Sequence, residues 1–364
     1  MHRASPLLVV LLTLTACSSG PPEGPQAVTS VTASDTTCGL SSAEVASGTL
    51  RLDVSNAGPR LTDVYVYDGA RVVGEVAGVD PGESASLSVS LEAGDYEVAC
   101  KPGGTGKGVR TALRATGDGV PRRDPRLAAG VAAFTRWVQG QAAELTRRTA
   151  LFTAAVEAGD IARAKALYAP SRIPWERIEP VAESFGDIDP KVDAREDGLE
   201  PGQVWTGWHK LEKDLWTTGT TDAATARQLL ADVRDLQARV ATVELGPDQL
   251  GNGAKELLDE VATGKVTGEE ERYSRTDLVD FQANVEGAKQ AYDALRPVAV
   301  DRDAALVATL DRRFAECFAA LAPHGSGASF VAYDRLTAGQ VRALAAVVDA
   351  LGEPLSQLTA TVLR

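Results

Sequence analysis

Between residues 117 and 125 the chain changes the spacing of its apolar residues, and no other feature restricts its fold as strongly. Before that point the spacing is two. "GTLRLDVSNAG" puts Leu50, Leu52 and Val54 on one side, and "ASLSVSLEAGDYEVAC" does the same with Leu87, Val89 and Leu91. Asp68-Gly69 and Ala93-Gly94-Asp95 mark turns between such runs. Residues two apart share one face of a strand, so this part must pair sheets over their apolar faces. The expectation is an antiparallel β-sandwich over 31–117. Beyond "GDGVPRRDP", a linker over 118–126, apolar residues recur every three or four positions, first in the long run Arg126–Asp160. Further helices are predicted at 160–168, 174–184, 206–216, 222–243, 253–263, 277–295, 301–321 and 337–363, with no strand pattern among them. An all-α domain over 127–364 follows from this. A long acidic loop, 183–203, interrupts it; loops of that length in compact domains are commonly functional.

The N-terminus sets the compartment. "MHRASPLLVVLLTLTACSSG" has a basic residue, an apolar run too short to span a bilayer, and then Leu14-Thr15-Ala16-Cys17. Residues 1–16, His2 among them, are predicted to be a cleaved lipoprotein signal, with Cys17 lipid-modified and 17–30 a Ser/Gly/Pro tether. An ordinary secretory signal with an incidental Cys17 is the alternative. Either way the protein is exported; with the anchor it is held on the outer face of the cell membrane, in the periplasm or cell envelope. The formal net charge of −13 argues against nucleic acid, whose phosphates require clustered Lys and Arg. Cys38 and Cys100 bracket the β part, and in an oxidising compartment a disulfide between them would close a long loop. Cys317, in "RRFAECFAAL", reads as a buried packing residue.

The stretch "WTGWHKLEKDLW" carries the chemistry. One of the chain's 3 histidines, His209, stands three residues before Glu212, among 3 of its 5 tryptophans. On a helix, Trp205, His209, Glu212 and Trp216 fall on one face and Trp208, Leu211 and Leu215 on the adjacent stripe. Imidazole and carboxylate one turn apart can meet on one ion; a His–Glu hydrogen bond is the bland alternative. Upstream, "SRIPWERIEPVAESFGDIDPKVDARED" adds Glu176 and Glu179, placed on one short helix before Pro180, and Asp193 in the acidic loop. One histidine with several carboxylates suits a hard cation, Fe(III) or Mn, and less exclusively Zn or Cu. "TGEEERYSRTDLVDFQANVEGA" offers Glu269, Glu270, Glu271 and Asp277. The glutamate triplet reads as a solvated face by default, and Asp277 as a helix cap. His324, in "APHGSG", reads as exposed.

These three stretches together closely resemble the imelysin-like domain of EfeO-type lipoproteins of the EfeUOB iron-uptake system, over residues 125–364. The resemblance implies two helical bundles with His209 and Glu212 as metal ligands, joined by Glu176, Glu179 and Asp193, and more weakly by Glu270 and Asp277. It implies iron as cargo, Fe3+ or Fe2+, passed to a membrane iron permease, with a haem-peroxidase-like partner in the same system. The β part more faintly resembles a cupredoxin-like domain. Residues 18–120 contain neither His nor Met, so a blue-copper site is excluded there. A hard-metal site of Glu44, Asp53 or Glu97 with Cys38 and Cys100 competes with the plain disulfide. The protein is expected to bind rather than to catalyse. The alternative is a metal-dependent hydrolase, as in imelysin-type peptidases, but no HExxH supplies its base. Haem binding fits poorly, with one helical histidine as the evident axial ligand.

Overall fold

The computed structural model describes residues 27–104, 106–118, 124–199 and 202–364. The signal segment, Cys17 and most of the tether lie outside these residues. Nine strands come first: β1 (Ala27–Ala33), β2 (Cys38–Leu40), β3 (Glu44–Ala46), β4 (Gly48–Asn56), β5 (Thr62–Asp68), β6 (Arg71–Val79), β7 (Ser84–Leu91), β8 (Gly94–Pro102) and β9 (Val109–Thr116). They form two sheets, ordered β2-β1-β4-β7 and β3-β9-β8-β5-β6. Leu50, Leu52, Val54, Leu87, Val89 and Leu91 from the first sheet meet Val64, Val66 and Val98 from the second in one buried core. The period-two pattern is therefore satisfied as a sandwich. Two pairings, β1 with β4 and β3 with β9, are parallel rather than antiparallel. The chain leaves the first sheet at β3 and returns at β4, so no hairpin joins β1 to β4. Cys38 on β2 and Cys100 on β8 are joined across the core, with Cα atoms 5.4 Å apart. Glu44 and Asp53 stay outside, and Glu97 pairs with Arg110 at 2.7 Å. Among the described residues, the donor groups close enough to share one ion include none of these three.

The helices are α1 (Pro125–Glu157), α2 (Ile161–Glu176), α3 (Glu179–Glu183), α4 (Asp189–Val192), α5 (Trp208–Lys213), α6 (Ala223–Val240), α7 (Pro247–Thr263), α8 (Asp277–Arg302), α9 (Ala304–Leu321), α10 (Ala338–Leu355) and α11 (Leu358–Leu363). Start signals in the sequence explain the long ones. Asp124 caps α1 ahead of Pro125, Asp222 caps α6, and Thr337 with Gln340 forms a reciprocal cap on α10. Helices α1, α2, α6 and α8 pack as one four-helix group and α7, α8, α9 and α10 as a second, with α8 shared. Their apolar faces merge into one buried core. Among the described residues no helix is long and apolar enough to cross a membrane.

The local structure departs from the sequence pattern at four points. Helix α2 runs through Pro170 and Pro174 instead of breaking there. Pro174 removes the donor for the Pro170 carbonyl, and the Arg148 guanidinium supplies one at 3.0 Å. The break comes after Glu176, so Glu176 and Glu179 sit on different helices, α2 and α3. A two-residue-per-strand hairpin, Gly325–Ser326 with Ser329–Phe330, interrupts the helical part, and His324 before it is half-buried.

The two domains touch directly. The Val72 amide donates to the Ser184 carbonyl at 3.1 Å. The Ser90 amide donates to Asp248 at 2.8 Å, and the Asn252 amide to the Ser88 carbonyl at 2.8 Å. Beside these contacts lies a cleft of about 790 Å³, walled by Tyr65, Tyr67 and Lys101 of the sandwich and by Glu179, Asp193 and Glu270 of the helical domain.

Candidate metal centre

Helix α5 starts later than the periodicity predicts. Gly207 caps it at φ 90°, a left-handed conformation that favours glycine. A Cβ there would stand 2.2 Å from the Val192 carbonyl oxygen. Trp205 therefore lies outside the helix, and its indole N–H donates to the Ala194 carbonyl at 2.7 Å. After Lys213 the backbone widens into a π-helical turn, Asp214–Thr218, a device common at functional sites. Within α5, Trp208 is fully buried against Trp175, ring centres 5.7 Å apart, and this packing turns His209 and Glu212 inward.

Both neighbours are nearly sealed: His209 is 2% exposed and Glu212 0%. Nδ1 of His209 faces Glu212 Oε2 at 3.4 Å. Its Nε2 faces Asp193 Oδ1 at 3.4 Å and Glu270 Oε1 at 3.5 Å, with no hydrogen-bond partner of its own among the described residues. Asp193, His209 and Glu270 can each bring one donor atom within 4.8 Å of the others, and so can His209, Glu212 and Glu271. Glu212 is fixed from its other side: Oε1 accepts the backbone N–H groups of Tyr273 at 2.9 Å and Ser274 at 2.6 Å. Those amides belong to a turn closed by Arg275 at φ 63°. Asp277 takes no place beside His209; its Oδ1 accepts the Glu271 N–H at 3.0 Å and ties the same turn.

Two buried cations, Arg172 and Lys265, complete the arrangement. Arg172 is 0% exposed, and its guanidinium pairs with Glu176, Asp193, Glu271 at 2.7 Å, and, at 3.7 Å each, Glu270 and Asp280. Lys265 pairs with Glu176 at 2.8 Å, Glu179 at 3.2 Å and Glu260 at 3.0 Å. Glu176 and Glu179 are thus a layer away from His209, bound to cations the protein already carries. Glu179 groups instead with Glu183 and Asp189 on the cleft wall. Glu269 is exposed, but Glu270 and Glu271 are buried, contrary to the solvated face expected for the triplet.

Charge, burial and a proton shape this centre. Burial pushes the Glu271 carboxyl up to about 8 and Asp280 well above the carboxylate range, although Arg172 pulls both down. Burial raises both by disfavouring their charged forms. Burial acts against Glu270 as well, but the His209 ring facing it and the charges of Lys265 and Arg195 hold it well below the usual range. For His209, burial and Arg172 oppose the charge, yet Asp193, Glu212 and Glu270 win and lift its pKa well above that of free imidazole. The ion-free centre therefore holds an imidazolium where a cation could sit.

Residues 130–358 match the imelysin family, and residues 6–111 match the cupredoxin-like domain family. The chain belongs to the imelysin family. It is 38% identical over 339 residues to the "Iron uptake system component EfeO" of Escherichia coli (strain K12), covering 90% of this chain and 89% of that one. The protein of that name from Yersinia pestis is 36% identical over 335 residues, with the same coverage. A solved chain from Parabacteroides distasonis, described as an iron-regulated protein A precursor, is 14% identical with a TM-score of 0.53, covering 67% of this chain and 97% of its own. That last likeness speaks to fold alone. In this chain a cupredoxin-like domain precedes the imelysin domain, and this imelysin-family chain is a homologue of iron-uptake components.

Part of the candidate centre leaves a trace in the sequence. Arg172 and Glu176, four apart on α2, and Asp277, Asp280 and Asn284 on α8 put polar groups on buried helix faces. Lys265, at the start of the short 3-10 turn Lys265–Thr267 after α7, gives no such signal.

Proposed function

We propose that the protein is an extracytoplasmic iron carrier, which takes the ion between His209, Asp193 and Glu270, with Glu212 behind the ring, and passes it to a membrane permease. The observation that carries this reading is the Nε2 of His209. It is buried, lacks a hydrogen-bond partner, and stands 3.4 Å and 3.5 Å from two carboxylate oxygens. A buried polar atom without a partner is costly, and a cation bound by all three groups would remove that cost. One imidazole and carboxylate oxygens form a hard donor set suited to iron. The cleft leads to Asp193 and Glu270, so the ion has an entry path. The EfeO relatives bear the name of an iron-uptake component, which favours carriage over hydrolysis. Lipid attachment at Cys17 would keep the loaded carrier beside the permease and its haem-peroxidase-like partner.

The test is direct. Purified mature protein binds Fe(III), or Zn2+ as a redox-inert probe, and the pair His209→Ala, Glu212→Ala weakens that binding at least tenfold, about 1.4 kcal/mol. An unchanged affinity would reject the site.

A further inference from the structure

Three basic groups touch the carboxylates of the centre, and they are not equivalent. Arg172 is 0% exposed and bound to five acids. The Lys265 side chain is 2% exposed and bound to three. The side chain of Arg195 is 41% exposed, and its one carboxylate partner in these pairs is Glu270, reached from Nη1 to Oε2 at 2.5 Å. Glu270 turns its other oxygen, Oε1, toward His209 Nε2. One carboxylate therefore carries Arg195 on one side and the orphaned imidazole nitrogen on the other.

The position of Arg195 is as informative as its pairing. It lines, with Glu270, both the large interdomain cleft and a small pocket walled by Trp205, His209 and Tyr273. An ion coming to His209 from either opening meets this guanidinium. Gly264 leaves room for the pair: a Cβ there would stand 3.2 Å from Arg195 Nη1 and 3.4 Å from Glu270 Oε2. A metal ion on Glu270 and a guanidinium on the same carboxylate repel each other, so the two cannot share it at full strength. Arg172 cannot yield, because removing it would leave several buried acids uncompensated. Arg195 can, by a side-chain rotation into the cleft.

We propose that Arg195 is a displaceable counter-cation, which occupies Glu270 while the centre is ion-free and leaves it when the metal binds. The proposal rests on the site assigned above. Capture is then an exchange of one cation for another, and Arg195 sets both affinity and release.

Zn2+ titration calorimetry and stopped-flow mixing on the mature protein decide the matter. Arg195→Gln removes the competitor, so Zn2+ binds at least fivefold tighter. Arg195→Lys keeps the charge and stays within threefold of the native protein. Arg272→Gln removes a nearby charge that pairs with Asp197 and does not touch Glu270; it shifts affinity less than twofold. Weaker or unchanged binding in Arg195→Gln overturns the proposal, and so does an equal gain in Arg272→Gln. Persistence of the gain in a Glu270→Gln background, where Arg195 has no carboxylate to occupy, also overturns it. If His209→Ala alone leaves native affinity intact, the site assignment itself fails, whatever Arg195 does.

Discussion

Replacing Arg172 by methionine removes the guanidinium while keeping an unbranched chain of similar reach. The structure sets the size of the effect. Five carboxylates face Arg172, which is 0% exposed. Breaking a buried pair by removing one partner costs about 3–5 kcal/mol. The low end applies here, because Glu176, pushed up to about 7 by burial, and Glu271, at about 8, already hold protons for much of the time near neutrality. About 3 kcal/mol corresponds to a fall of roughly 6–12 °C in the melting temperature of a domain this large. The effect depends on pH with a definite sign. Burial pushes the Asp193 carboxyl up, and Arg172 and His209 hold it below the ordinary range. Without Arg172 its folded pKa rises above the unfolded value. Such an acid favours the fold at low pH, and that contribution is lost as pH rises through the folded pKa. The deficit of Arg172→Met is therefore largest at pH 7.5 and shrinks at pH 5, where protons replace the missing cation. Thermal melts followed by far-UV circular dichroism, in chelator, measure both. A melting temperature within about 2 °C of native at pH 7.5, or a deficit that grows at pH 5, would refute the reasoning.

Two further predictions concern the ion. His209 is an imidazolium in the ion-free protein, since its neighbours raise its pKa well above the free value. Binding at Nε2 requires the neutral ring, so near pH 7 about one proton leaves per ion and affinity climbs as pH rises; calorimetry in buffers of different ionisation heat counts the protons, and a count of zero rejects the ring as ligand. Gly207→Ala forces a side chain onto the Val192 carbonyl, 2.2 Å from the new Cβ, at a left-handed backbone position. That costs about 1–3 kcal/mol and shifts Asp193 against His209, so melting temperature and Zn2+ affinity both fall; if both hold at native values, the close approach does not position the centre.

The order of the domains, their classes and the pairing of His209 with Glu212 were legible in the residues, because each depends on spacing within a few positions of the chain. Period two makes a sandwich face and period 3.6 a helix face wherever they occur. Local pattern also placed Asp193 and Glu270 in acidic stretches, but it could not say which acid in "EEE" turns inward. Only the packed structure decided that Arg172 and Lys265 neutralise Glu176 and Glu179, that Glu271 is buried, and that Asp277 ties a turn. Those outcomes join α2, α5, the loop after α4 and the turn before α8, segments far apart in sequence. Whether a buried charge persists depends on what faces it across that space, and no periodicity along one segment contains that information.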